Sequence, residues 1–189
     1  MSRVITLSQS FPAYHPKAGE ETFFVQKFLT ANRVTVHSKP NEPTHFYPDP
    51  QDLFELNKHL YHDLVSKFVR KIDGYSDKFE PKHHTIRSGN RWKVGDKFSP
   101  RVWSCKPYQS KQIIISPDLE VKKVWEFEIK NEFEGDGWYN MFYINGEFQR
   151  WNDLEKLAKN DGLILEDLIH WFKANDGYFS GKEYKCEFN

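Results

Sequence analysis

Lys82-His83-His84-Thr85-Ile86-Arg87, then Gly95-Asp96, then Lys106-Pro107-Tyr108-Gln109-Ser110-Lys111-Gln112: the reading of the fold turns on this stretch. From Lys82 to Lys111 there are eight Lys/Arg and a single acid, Asp96, a net charge of +7 in thirty residues. The whole chain is neutral, residues 1–81 balance, and residues 112–189 carry −7. A neutral protein with one basic segment has a local anion-facing site rather than a general affinity for polyanions. Trp92, Trp103 and Tyr108 interleave with the cations, and flat rings beside cations suit a nucleobase and its phosphate. The bland alternative is a solvated basic hairpin with structural aromatics.

Outward from this segment, the 189 residues suffice for one domain with a real core. Sixteen Phe and six Trp supply core material. No apolar run approaches a membrane span, and the N-terminus has no secretory pattern. Cys105 and Cys186 lie far apart without a motif, so two free thiols in a reducing cytoplasm are expected.

Phe24, Phe28 and Leu29 place a short helix over 20–29 with one buried stripe. Four prolines make 38–50 a loop. Leu53, Leu56, Leu60, Leu64, Phe68 and Ile72 predict one long helix, capped by Asp52. Strands are expected at 112–116 and 121–129, and a hairpin at Asn145-Gly146. Asn152 with Glu155 predicts a helix start and Gly162 its end. A helix at 165–174 and a closing strand from 183 complete an α+β chain around a mostly antiparallel sheet or small barrel.

The segment resembles the ASCH family, whose fold is a PUA-like β-barrel. Lys82, Thr85, Arg87 and Gly95-Asp96 carry the resemblance. Within that family the chain is similar to the small bacterial amidohydrolases that remove the acetyl group from N4-acetylcytidine. Thr22-Phe23-Phe24…Phe28 resembles their opening segment, Lys82-x-x-Thr85-x-Arg87 their central run, and Asp161 stands where they place a glutamate before a helix. Asp161 is one methylene shorter than that glutamate, and Cys105 stands where glycine is expected. About fifty residues, 32 to 81, are inserted relative to the small enzymes, as in a larger bacterial and phage-type subgroup. The expected architecture is a single ASCH domain over 1–189 with a helical lobe at about 32–81 on its outside.

The resemblance implies a catalytic set: Thr85 as nucleophile, Lys82 as its base, Asp161 as proton donor or lysine anchor, Arg87 as carbonyl stabiliser. A threonine hydroxyl needs a base, and a lysine serves only if its pKa falls from about 10.4. The alternative is that Lys82 and Arg87 bind phosphate while Thr85 bonds backbone. The basic segment nominates Arg87, Arg91, Trp92, Lys93, Arg101, Lys106, Tyr108 and Lys111 for nucleic acid. His59 and His62 lack further ligands, so no metal is expected, and no cofactor motif is present. The expected ligand is a modified nucleoside or RNA, with an amide of N4-acetylcytidine as the substrate if the site is catalytic. A non-catalytic RNA-binding module and a protein-interaction factor are the alternatives.

Overall fold

The computed structural model describes residues 3–31, 34–39, 42–46, 50–69, 79–134, 137–172 and 178–186. In chain order the elements are β1 (Arg3–Leu7), α1 (Phe24–Ala31), β2 (Val34–Lys39), β3 (Glu42–Phe46), α2 (Pro50–Asn57) and α3 (Tyr61–Leu64). There follow β4 (His84–Ser88), β5 (Lys97–Trp103), β6 (Gln112–Ile114), β7 (Leu119–Glu134), β8 (Gly137–Ile144) and β9 (Glu147–Phe148). The last are α4 (Trp151–Asn160), α5 (Leu165–Trp171) and β10 (Tyr178–Cys186).

The fold is α+β. One sheet runs β1-β5-β7-β10-β4, with β6 beside β5 and β8 then β9 beyond β7. Among the described strands only β1 and β5 pair in parallel, and the other ladders are antiparallel. Strand β7 organises the sheet because its sixteen residues serve three partners. Leu119 and Glu120 pair with β5, residues 121–130 with β10, and 127–134 with β8. Its alternation buries Val121, Phe127 and Ile129 and leaves Glu126 exposed, as a strand packed on one face requires. The β8–β9 turn has positive φ at both Asn145 and Gly146, the type I′ geometry that Asn-Gly favours.

The end strands of the sheet, β1 and β4, share no ladder. A side chain spans them: Arg87 Nη2 on β4 donates to Thr6 O on β1 at 2.7 Å. The main core gathers Leu7, Phe28, Leu64, Phe127, Leu157 and Leu168, and a smaller cluster holds Ile5, Trp92, Phe98 and Val121.

Three local expectations are corrected. The 38–50 loop contains strand at 38–39 and 42–46, where β2 and β3 form a two-stranded ribbon with His37 opposite Pro43. In such a ribbon both strands are edges, so a residue without an N–H is tolerated. The remaining positions, 40, 41 and 47–49, lie outside the described residues. The long helix over 52–72 is broken: α2 starts at Pro50, a 3₁₀ turn covers Lys58–Leu60, and a π-turn covers Val65–Val69. Lys58 sits at φ +40, so the chain leaves the helical path there. Residues 70–72 are not described. Leu64 and Phe68 enter the main core, and the Asn57 amide pairs the backbone of Ile114 through two 2.7 Å bonds. Leu64 and Phe68 thus tie the second half of this segment to the main core. Finally, α4 starts at Trp151 without a side-chain cap, and Glu155 accepts from Trp151 Nε1 instead of capping.

The closing strand is present as β10, from Tyr178, and backbone pairing places it between β7 and β4. No described helix is long and apolar enough to cross a membrane.

Candidate functional site

The site is built around the end of α4. Gly162, at φ +77, lets the chain reverse, with Leu163 N bonding Ala158 O and Gly162 N bonding Lys159 O. This is a Schellman ending, in which the last carbonyls of the helix carry its partial negative charge. Two lysines answer that charge. Lys82 Nζ donates to Asp161 O and to Asp161 Oδ1, each at 2.5 Å. Lys27 Nζ donates to Gly162 O at 2.6 Å. A Cβ on Gly162 would lie 3.2 Å from Lys27 Cδ and 3.3 Å from Lys82 Cβ, so glycine makes room for both stems.

The Lys82–Asp161 pair is sealed, with side-chain exposures of 4% and 6%. Lys82 Nζ also sits 4.5 Å from the centre of the Phe24 ring. The backbone holds the pair in place: Lys82 N bonds Lys27 O, and His83 N bonds Asn160 O. A buried charged pair is costly unless fully bonded, and this one is bonded on several sides.

In front of the pair lies a cleft of about 610 Å³, lined by Thr22, Phe23, Lys27, Gly162 and the residues of its rim. That volume suits a nucleoside-sized ligand. Its rim carries Glu20, Glu21, Glu80, Glu155 and Asp167 against Lys17, Lys27 and Lys159, so its charge leans acidic. Lys17 pairs with Asp167 at 2.8 Å and Lys159 with Glu80 at 2.9 Å. Buried His15 supports this wall: Lys17 N donates to its Nδ1, and its Nε2 faces Asp167 O at 3.3 Å. Burial, then the charge of Lys82, pushes the Lys27 amine down to about 8, while Asp167 and Asp161 pull the other way.

Phe23 has φ +56, a strained position for a bulky residue, and such strain concentrates at binding sites. It forms the boundary between the cleft and a saddle of about 330 Å³ that contains Gln9 and Lys67. Gln9 and Lys67 also line a neighbouring basic pocket of about 720 Å³, with Arg87, Lys106, Trp103 and Tyr108 and, among the described residues, no carboxylate. The Trp103 and Tyr108 rings lie 5.3 Å apart, and Tyr108 is 89% exposed.

The predicted catalytic residues are therefore only partly gathered. Lys82 and Asp161 meet. Thr85 is buried on β4 and, with Ile5, Leu7, Phe28, Lys82 and Phe98, lines a cavity of about 20 Å³, room for a single water. Arg87, two residues on along β4, lines the basic pocket instead. The predicted nucleic-acid residues also divide. Arg87, Lys106 and Tyr108 share the basic pocket. Arg91 and Lys93 lie by the Gly95-Asp96 turn, ahead of β5, and are not among the residues that line this pocket. Asp96 belongs to that turn structurally, accepting from Lys93 N at 2.9 Å. Trp92 is 6% exposed, its ring edge-on to Phe98 with Arg3 above it, so it is core and offers no stacking face. Arg101 is tied to Ser99 at 3.1 Å, and Lys111 is exposed beside β6.

Sequence reasoning missed Lys27, Lys17, His15, Asp167 and Lys67. For Lys27 a signal existed, a lysine inside the apolar helix Phe24-Val-Gln-Lys-Phe-Leu. Comparisons with family models, curated proteins and solved structures return no match.

Proposed function

We propose that this chain is an ASCH-type protein with a PUA-like barrel, and that it binds a modified nucleoside carried in a single RNA strand. One observation carries this reading. The acid-rimmed cleft, the saddle and the basic pocket are neighbours, the first two sharing Glu21 and Phe23 and the last two Gln9 and Lys67, and we take them as one groove. An uncharged base and sugar suit the first end. Phosphates suit the second, where Lys67, Arg87 and Lys106 gather, and a further base suits the Trp103–Tyr108 pair. Support for the barrel reading comes from Arg87, whose bond to Thr6 O bridges the two end strands, and for the cleft from the Lys82–Asp161 contact.

The test is titration of the chain with N4-acetylcytidine and with RNA of about ten nucleotides containing it. The RNA is expected to bind at least ~10-fold more tightly, because its phosphates release counterions at the basic end. With three cations there, the log–log salt slope is expected near −2, at about −0.7 per phosphate. If neither ligand binds, the protein-interaction reading takes its place.

A second reading, hydrolysis of the N4-acyl amide, is favoured by the buried charge pair directly behind the cleft. Its test is acetate release from N4-acetylcytidine. Thr85→Ala separates two mechanisms: activity is lost if Thr85 is the nucleophile and kept if water attacks in the cleft.

A further inference from the structure

We propose that Lys27, and not Lys82, is the proton-exchanging amine of this cleft, Lys82 being a fixed charge that positions it. The inference rests on the hydrolysis reading for its chemical use, and on geometry for the assignment. Lys82 Nζ is enclosed by Asp161 Oδ1, Asp161 O and the Phe24 ring, and it lies behind Gly162 rather than on the cleft wall. Those contacts occupy the Lys82 amine and keep it off the cleft wall.

Lys27 differs on each count. It lines the cleft, and its bonded partner is a neutral carbonyl, Gly162 O. Among the described residues no carboxylate oxygen lies within ion-pair distance of its Nζ. The charged groups around it come from two sides. Lys82 and Asp161 lie at the end of α4, and Lys17 and Asp167 line the cleft with Lys27. Burial and the two ammonium groups outweigh the two carboxylates, which leaves the amine at about 8. Its helix is anchored by Phe24, Val25, Phe28 and Leu29 in the core, so Nζ is held in place.

In the amide reaction the neutral Lys27 Nζ takes a proton from a water in the cleft as the water oxygen bonds to the acyl carbon. The bond from that carbon to the exocyclic nitrogen of the base then breaks. The Lys27 ammonium returns its proton to that nitrogen. The products are the carboxylic acid and the free amine, and Lys27 ends as it began.

The experiment follows lysine 13Cε shifts by NMR on the full chain from about pH 6 to 11, with Lys27→Arg and Lys82→Met assigning the two signals. Lys27 is expected to titrate with a midpoint about 2 pH units below the surface lysines, which titrate near 10.4. Asp167→Asn should lower that midpoint, since Asp167 opposes the shift. A Lys27 signal that moves with the surface lysines, or a Lys82 signal that titrates below it, overturns the assignment. Turnover is read separately. If wild type releases acetate, kcat/KM should rise through the Lys27 midpoint, and Lys27→Arg should lose at least ~100-fold in kcat with less than about 3-fold change in nucleoside affinity. A Lys27→Arg enzyme with wild-type kcat also overturns the assignment. Wild type without turnover but with the low Lys27 midpoint removes the hydrolysis reading and leaves the assignment standing.

Discussion

Arg87 on β4 and Thr6 on β1 are joined by a 2.7 Å bond from guanidinium to carbonyl, although the two strands lie at opposite ends of the sheet order. One side chain thus does across this gap what a ladder does elsewhere. The same guanidinium lines the basic pocket, so structure and binding draw on a single residue.

Arg87→Ala is expected to cost about 1.5–3 kcal/mol, the range for a hydrogen bond to a charged group. Denaturant unfolding measures the loss. Hydrogen exchange should speed up in β1 and β4 before the rest of the sheet. Uniform exchange across all strands would show that the link does not hold the ends together.

Breaking the buried pair from one side should be severe. Asp161→Ala leaves the Lys82 ammonium without its carboxylate, an expected loss of about 3–5 kcal/mol. The double replacement Lys82→Met with Asp161→Leu should be much closer to wild type in stability, since an apolar pair has no charge to desolvate. Thermal and denaturant unfolding of both variants decides this. A double variant as unstable as the single one would assign the cost to packing.

Lys27 makes stability pH-dependent with a definite sign. Its folded value, about 8, lies below the unfolded value of 10.5, so between these the unfolded chain binds more protons. Stability contributed by this group therefore rises with pH from about 8 to 10.5 and is lost as pH falls through 8. Lys27→Met removes that dependence. The stability of wild type relative to Lys27→Met should climb by up to ~3 kcal/mol across the window. A flat difference would contradict the shifted amine.

At Gly162 a side chain meets two obstacles, the left-handed backbone and the lysine stems 3.2–3.3 Å away. Gly162→Ala is expected to cost at least ~1–2 kcal/mol from the backbone alone. It should also move the Lys27 titration midpoint by displacing that stem. Loss of stability with an unchanged midpoint would separate the turn from the site.

Two aromatic residues of the basic segment should respond in opposite ways. Tyr108→Ala should leave stability unchanged and weaken strand binding by about 1–3 kcal/mol, the range for one stacked base. Trp92→Ala should lose about 3–5 kcal/mol of stability, because it empties a core position. Swapped outcomes would overturn the placement of both.

Local chemistry in the sequence determined the features that need only neighbours. The Phe24, Phe28, Leu29 stripe sets a helix face, Asn145-Gly146 sets a turn that requires positive φ, and Gly162 sets the end of α4. Alternation along β7 sets which side is buried. Tertiary structure alone decided the rest, because it depends on which distant surfaces exclude water together. The leucine pattern over 52–72 looked continuous, yet burial of Leu64 and Phe68 in the body and the Asn57 bonds to β6 go with a broken path. Trp92 reads like a stacking residue in a basic run, but the apolar surface of Ile5, Phe98 and Val121 claims it. Lys82 and Asp161 are 79 residues apart; the resemblance pairs them, and no periodicity does. Lys27 acquires its character only where burial and a second ammonium meet at the end of α4, a coincidence of field and solvent exclusion that no local pattern encodes.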